Sequence, residues 1–170
     1  MRRLLSAVRA ALAAILVSAA PLAAQLVTSG EGPLRSSGAL TLGPVIGVNL
    51  PVGSFSDVVG TGFTIGGEAT YGLGVVTLLG EVSYSSFSGK NNLGSRGTVA
   101  YGAGARVGLS LAGLYAGGVA GFWTDDVDEF DIVPLVGVHL GPLDLNARFK
   151  GIFGDADWFA FGGAVHFRLK

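Results

Sequence analysis

Seven residues carry most of the chemistry this chain could do. Glu68, Glu81, Arg106, Arg148 and Lys150, together with His139 and His166, each interrupt runs of apolar and small residues. Carboxylates and guanidinium groups pair with one another, and imidazole can move a proton or hold a metal. A histidine pair is a conceivable metal anchor, but no carboxylate stands at a sequence spacing that completes one. Both histidines are therefore expected to bond neighbours, and no metal or cofactor is expected. The acidic run Asp125, Asp126, Asp128, Glu129 and Asp131 could offer oxygen ligands to Ca²⁺. It lacks the spacing and glycine of an EF-hand, so a solvated acidic loop is the expectation. A nucleophilic serine needs a base beside it. Here the serines gather in the segments 54–56 and 83–88, with no histidine nearby in sequence, and no catalytic residue is expected.

The elements that must position these groups show a period of two. Leu40, Leu42, Pro44, Ile46, Val48 and Leu50 alternate with Thr41, Gly43, Val45, Gly47 and Asn49, the signature of a strand with one greasy and one small or polar face. The pattern returns with Phe63, Ile65, Ala69 and Tyr71 against Thr64, Gly66, Glu68 and Thr70. It continues with Val76, Leu78, Val82 and Tyr84 against Thr77, Glu81, Ser83 and Ser85, then with Val99 to Val107 against Thr98, Gly102, Gly104 and Arg106. The segment 113–123 leaves two choices open, with either Tyr115, Val119 and Trp123 or Leu114 and Phe122 outward. Ile132 to Leu140 alternates with Val133, Leu135, Gly137 and His139. The sharpest contrast sets Leu143, Leu145, Ala147 and Phe149 against Asp144, Asn146, Arg148 and Lys150, and Phe159 to Leu169 faces away from Ala160, Gly162, Ala164, His166 and Arg168. About eight strands result. Links near Gly72, Ser110 and Pro142 are short, whereas those after strands one, three, five and seven, including SSFSGKNNLGS and 124–131, read as long and polar. Phe55, Tyr84, Phe87, Trp123, Phe130 and Trp158 near the long links, and Tyr71, Tyr115 and Phe167 near the short ones, imply two aromatic girdles.

Composition says where such strands can live. Hydrophobic residues make up 49% of the chain, charged residues 14%, and 29 residues are glycine. That is too apolar for a water-facing surface and too glycine-rich for spanning helices. Strands can cross lipid only in a closed all-β antiparallel barrel, because hydrocarbon cannot satisfy an open edge. The first residues fit export: Arg2, Arg3 and Arg9 lead into an apolar stretch and then Leu22-Ala23-Ala24-Gln25, which reads as a signal peptide over 1–24 cleaved after Ala24. Residues 25–38 read as a periplasmic leader and 39–170 as the barrel. Removing 1–24 takes away three of 11 Lys+Arg and none of 12 Asp+Glu, leaving 8 against 12, a formal −4. A basic nucleic-acid surface is thereby excluded, and the absence of cysteine excludes disulfides and thiolate metal sites.

Over roughly Ala39 to Lys170 the chain resembles the small eight-stranded outer-membrane barrels of the OmpA and OmpX type and the outer membrane beta-barrel domain family. The stretch GVNLPVGSFSD (Gly47 to Asp57), followed by Gly60-Thr61-Gly62-Phe63, carries the likeness. The resemblance implies a monomer in contact with outer-membrane lipids and lipopolysaccharide. It also implies a last strand read by the barrel assembly machinery, although Phe167 is followed by Arg168, Leu169 and Lys170 rather than ending the chain. In so narrow a barrel the inward Glu68, Glu81, Arg106, Arg148 and Lys150 must pair to offset their desolvation. The expected function is that of a non-enzymatic outer-membrane protein with a side-chain-plugged lumen, in an envelope-structural or surface-adhesion role. A narrow pore and a lipid A-modifying enzyme are the alternatives.

Overall fold

The computed structural model describes residues 38–91, 93–109, 113–124, 128–153 and 157–169. The expected signal peptide, and the leader up to residue 37, lie outside them. The alternating segments form β1 (Leu40–Pro51), β2 (Val59–Leu73), β3 (Val76–Gly89), β4 (Arg96–Gly108), β5 (Leu114–Thr124), β6 (Asp128–Leu140), β7 (Leu143–Lys150), β8 (Trp158–Val165) and a two-residue β9 (Phe167–Arg168). From β1 to β8, each strand pairs antiparallel with the next. β1 also pairs with β8, Val45 opposite Ala164 and Pro51 opposite Trp158, and β9 prolongs β8 along β1 after a break at His166. The sheet therefore closes into an up-and-down barrel of eight staves. Closure gives every stave two partners, the condition for a sheet to lie in lipid.

Each stave turns large apolar side chains outward. Ile46 is 67% exposed, Ile65 51%, Val82 56%, Tyr101 52%, Phe122 44%, Val136 58%, Leu145 43% and Phe161 50%. A continuous apolar belt around a closed barrel is unstable against water and stable against hydrocarbon, so this is a transmembrane barrel. Phe149, outward by alternation, is an exception at 4% exposed, its ring 4.9 Å from that of Phe159.

At one end the turns are tight: Gly74 (φ 76°) and Gly141 (φ 66°) adopt the left-handed conformation that other residues resist. At the opposite end a helical turn, α1 (Phe55–Val58), leads into β2. Its loop is tied to its neighbours, with Lys90 Nζ donating to the Ser56 carbonyl at 2.7 Å and the Val52 N–H to the Asp157 carbonyl at 2.9 Å.

Several sequence expectations change here. β3 runs on to Gly89, so the first part of SSFSGKNNLGS is strand rather than loop. β6 begins at Asp128, so residues 124–131 are mostly not a loop and only residues 125–127 link β5 to β6. In β5 the open choice resolves: Tyr115 (2% exposed), Val119 (1%) and Trp123 (8%) face inward, Leu114 and Phe122 outward.

Candidate functional site in the barrel lumen

Alternation delivers every second side chain of each strand to a shared interior, and the register decides which of them meet. Glu68 of β2 stands directly opposite Glu81 of β3. Two like charges side by side in a narrow interior require cations. Arg106, from β4, supplies one: Nη2 donates to Glu68 Oε2 at 2.7 Å and Nη1 to Asp144 Oδ2 at 2.9 Å, all three side chains being essentially shielded from solvent. Arg148, from β7, supplies the other, with Nη1 donating to Glu81 Oε2 at 2.5 Å, Nε to Asn146 Oδ1 at 2.9 Å, and Nη2 3.6 Å from Glu68 Oε2.

Toward the tight-turn end both histidines join this cluster. His166 Nε2 bonds Glu68 Oε1, and His139 Nδ1 lies 2.8 Å from Asp144 Oδ2. The Tyr115 hydroxyl donates to Asp144 Oδ1, its ring lies against the His139 imidazole at 4.6 Å, and the Arg106 guanidinium sits 5.0 Å from its centre. Gly43 makes room for His166, since a Cβ there would lie 3.0 Å from the ring and 2.4 Å from the Val165 carbonyl oxygen. The lack of a carboxylate near the histidines along the chain is thus not a lack in space: strand pairing brings Glu68 and Asp144 to them.

Lys150 belongs to a separate layer at the other end. Its Nζ pairs with Glu129, lies 3.9 Å from Asp131 Oδ2, and rests over the rings of Trp158 (5.0 Å) and Trp123 (5.7 Å). Asp131, expected in a solvated loop, is fully buried. Its carboxylate accepts the N–H groups of Ile132 (2.8 Å), Gly151 (2.7 Å) and Phe153 (3.0 Å), which fixes the chain beyond β7. Asp125 and Asp126 lie outside the described residues.

The expected girdle needs the same correction. Phe87, Trp123 and Trp158 turn inward and form a buried cluster with Val59, Ala100 and Val133, capped by Phe55 of α1, whose ring lies 5.2 Å from Phe87 and 5.8 Å from Trp158. Tyr84 and Phe130 do face outward as expected, and Phe63, Tyr101, Phe122 and Phe159 join them, with the rings of Tyr101 and Phe122 at 5.8 Å and of Phe122 and Phe130 at 5.4 Å. At the tight-turn end Tyr71 and Phe167 face outward and Tyr115 does not.

Between the ionic cluster and the aromatic cap, Asn49, Thr64 and Ser85 link β1, β2 and β3 through bonds of 2.8 and 2.6 Å. They border a cavity of about 50 Å³ shared with Arg148 and Trp158, room for about one or two water molecules. The much larger depression, about 980 Å³, lies on the outer apolar face, where Gly80 and Ala103 leave the belt thin.

This is the architecture of the small eight-stranded transmembrane barrels. No protein-family model matches the sequence, and no curated protein matches it. Solved structures similar to it include two transmembrane barrels. One is the solution NMR structure of the de novo designed TMB2.3, at 15% identity and a TM-score of 0.48, covering 80% of this chain and 99% of that one. The other is the crystal structure of Ail, the attachment invasion locus protein of Yersinia pestis, at 12% identity and a TM-score of 0.43, covering 78% of this chain and 100% of that one.

Proposed function

We propose that the chain is a non-enzymatic outer-membrane protein whose lumen is closed by its own side chains and which serves the envelope as a structural element. One observation carries this reading: Arg106 on β4 bonds Glu68 on β2 and Asp144 on β7, joining opposite walls where a pore would need open water. The links at the α1 end, residues 52–58, 90–95, 125–127 and 151–157, leave little chain for a binding surface, which supports a structural role over loop-based adhesion. The export-type start at Arg2, Arg3 and Arg9 supports delivery across an inner membrane. The outward belt is the surface for lipid and lipopolysaccharide, and the terminal strand is the segment for the assembly machinery. A monomer is the natural state of a sheet whose edges are already paired.

Refolded protein in planar bilayers is expected to show no stepwise ion conductance, and the lipid A of expressing cells an unchanged mass spectrum. A steady single-channel current would establish the narrow-pore reading instead, and a shifted lipid A mass the enzymatic one.

A further inference from the structure

Glu68, Asp144 and His166 each place a ligand atom within 4.8 Å of the others, and all three are buried. His139 Nδ1, shielded from solvent, stands 2.8 Å from Asp144 Oδ2 and so brings a second imidazole to the edge of this group. Two carboxylates and the His166 imidazole around one point, with the His139 imidazole beside Asp144, form a mixed donor set suited to a borderline transition ion, because nitrogen favours Zn²⁺ over Ca²⁺ or Mg²⁺.

The charges at this level point the same way. Glu68, Glu81 and Asp144 place three carboxylates against two guanidinium groups, Arg106 and Arg148, in their ion pairs. The His166 and His139 imidazoles complete the set at Glu68 and Asp144, and a divalent ion held by the same two acids would supply the positive charge in their place. The approach is from the tight-turn end, where the His139 side chain retains 14% exposure while Glu68 and Asp144 have none.

We infer that the lumen of this barrel holds a divalent transition-metal site, with Glu68, Asp144, His139 and His166 as ligands and Zn²⁺ as the fitting class of ion. Arg106 is its internal competitor. The guanidinium bonds one oxygen of each carboxylate, so an incoming ion takes over those contacts, and Arg106 falls back on the Tyr115 ring that already lies 5.0 Å away. Binding ties β2, β6, β7 and the end of β8 to one point and so stabilises the closed barrel.

The test uses the full barrel refolded in detergent and stripped with chelator, with Zn²⁺ or Co²⁺ alone as probe. Zn²⁺ is expected to raise the unfolding temperature and to saturate at one equivalent, while Ca²⁺ and Mg²⁺ at the same concentration leave it unchanged. Co²⁺ is expected to give the visible absorption of a four-coordinate nitrogen and oxygen site. H139Q and H166Q should each weaken Zn²⁺ binding at least tenfold. R106A, lacking the competitor, should bind at least tenfold more tightly and recover with Zn²⁺ the unfolding temperature it loses without it. Equal stabilisation by Ca²⁺, Zn²⁺ binding unchanged in both histidine variants, or no binding by either the unsubstituted chain or R106A would overturn the proposal. Because conductance plays no part in these readouts, a barrel found to be an open pore could still carry the site, and a closed one could lack it.

Discussion

Arg106 and Arg148 divide the labour of neutralising the lumen, and their removal has consequences of different kinds. Arg106 serves two buried carboxylates of no solvent exposure, so Arg106→Ala strands both and is expected to cost about 3 kcal/mol of stability. The Arg106→Ala, Arg148→Ala double variant should lose its heat-modifiable gel migration at a lower temperature and conduct ions in planar bilayers. An unchanged unfolding temperature with no gain of current would show that the lumen is closed by other means. The inward placement of Glu68, Glu81, Arg106 and Arg148 is legible from alternation alone. Which acid meets which base is not, because it depends on register and on how far a long side chain climbs along a tilted strand. Asp144 stood in plain view on the inward face of its strand, but its partners Arg106, Tyr115 and His139 come from β4, β5 and β6.

At the level of strands, parity outranks composition. Trp158 and Phe87 look like interfacial aromatics from their nearness to the loops, yet Phe159 and Tyr84 point outward, and counting along the chain from either one turns its tryptophan or phenylalanine neighbour inward. Following alternation past the expected strand ends would have recovered both, together with the extension of β3. The glycine-rich β5 offered no such guide, since small residues occupy both of its faces. Its packing explains the glycines instead: a Cβ at Gly104 would lie 2.0 Å from the Gly118 carbonyl oxygen, so β4 and β5 approach more closely than side chains allow. Gly104→Ala forces the pair apart and is expected to cost about 1–3 kcal/mol, read as a lower unfolding temperature of the refolded barrel. A variant as stable as the parent would mean that these strands separate freely.

For the whole molecule, the four connections at the α1 end and the tight turns at the other define two rims, and the external links of such barrels are the longer ones. Cysteines at Ser54 and Asn91, both exposed, are expected to react with an impermeant thiol reagent on intact cells, whereas one at Pro142 should react only after the outer membrane is broken. The reverse pattern would invert the topology. Strand number and closure were readable from period and composition, because a chain this apolar with so few charges has no other way to satisfy its backbone in lipid. The closing seam has a kinetic meaning. β1 finds its second partner only in β8 and β9, across the whole sequence span of the barrel. Loop-closure entropy must be met before that seam contributes anything, so until β8 and β9 dock on β1 the sheet carries two unpaired edges, each able to recruit a strand from another molecule. Completion is thus a race between zipping shut and aggregating. That places the most vulnerable moment of folding just before the seam closes, and makes β8 and β9 as necessary to closure as β1 itself.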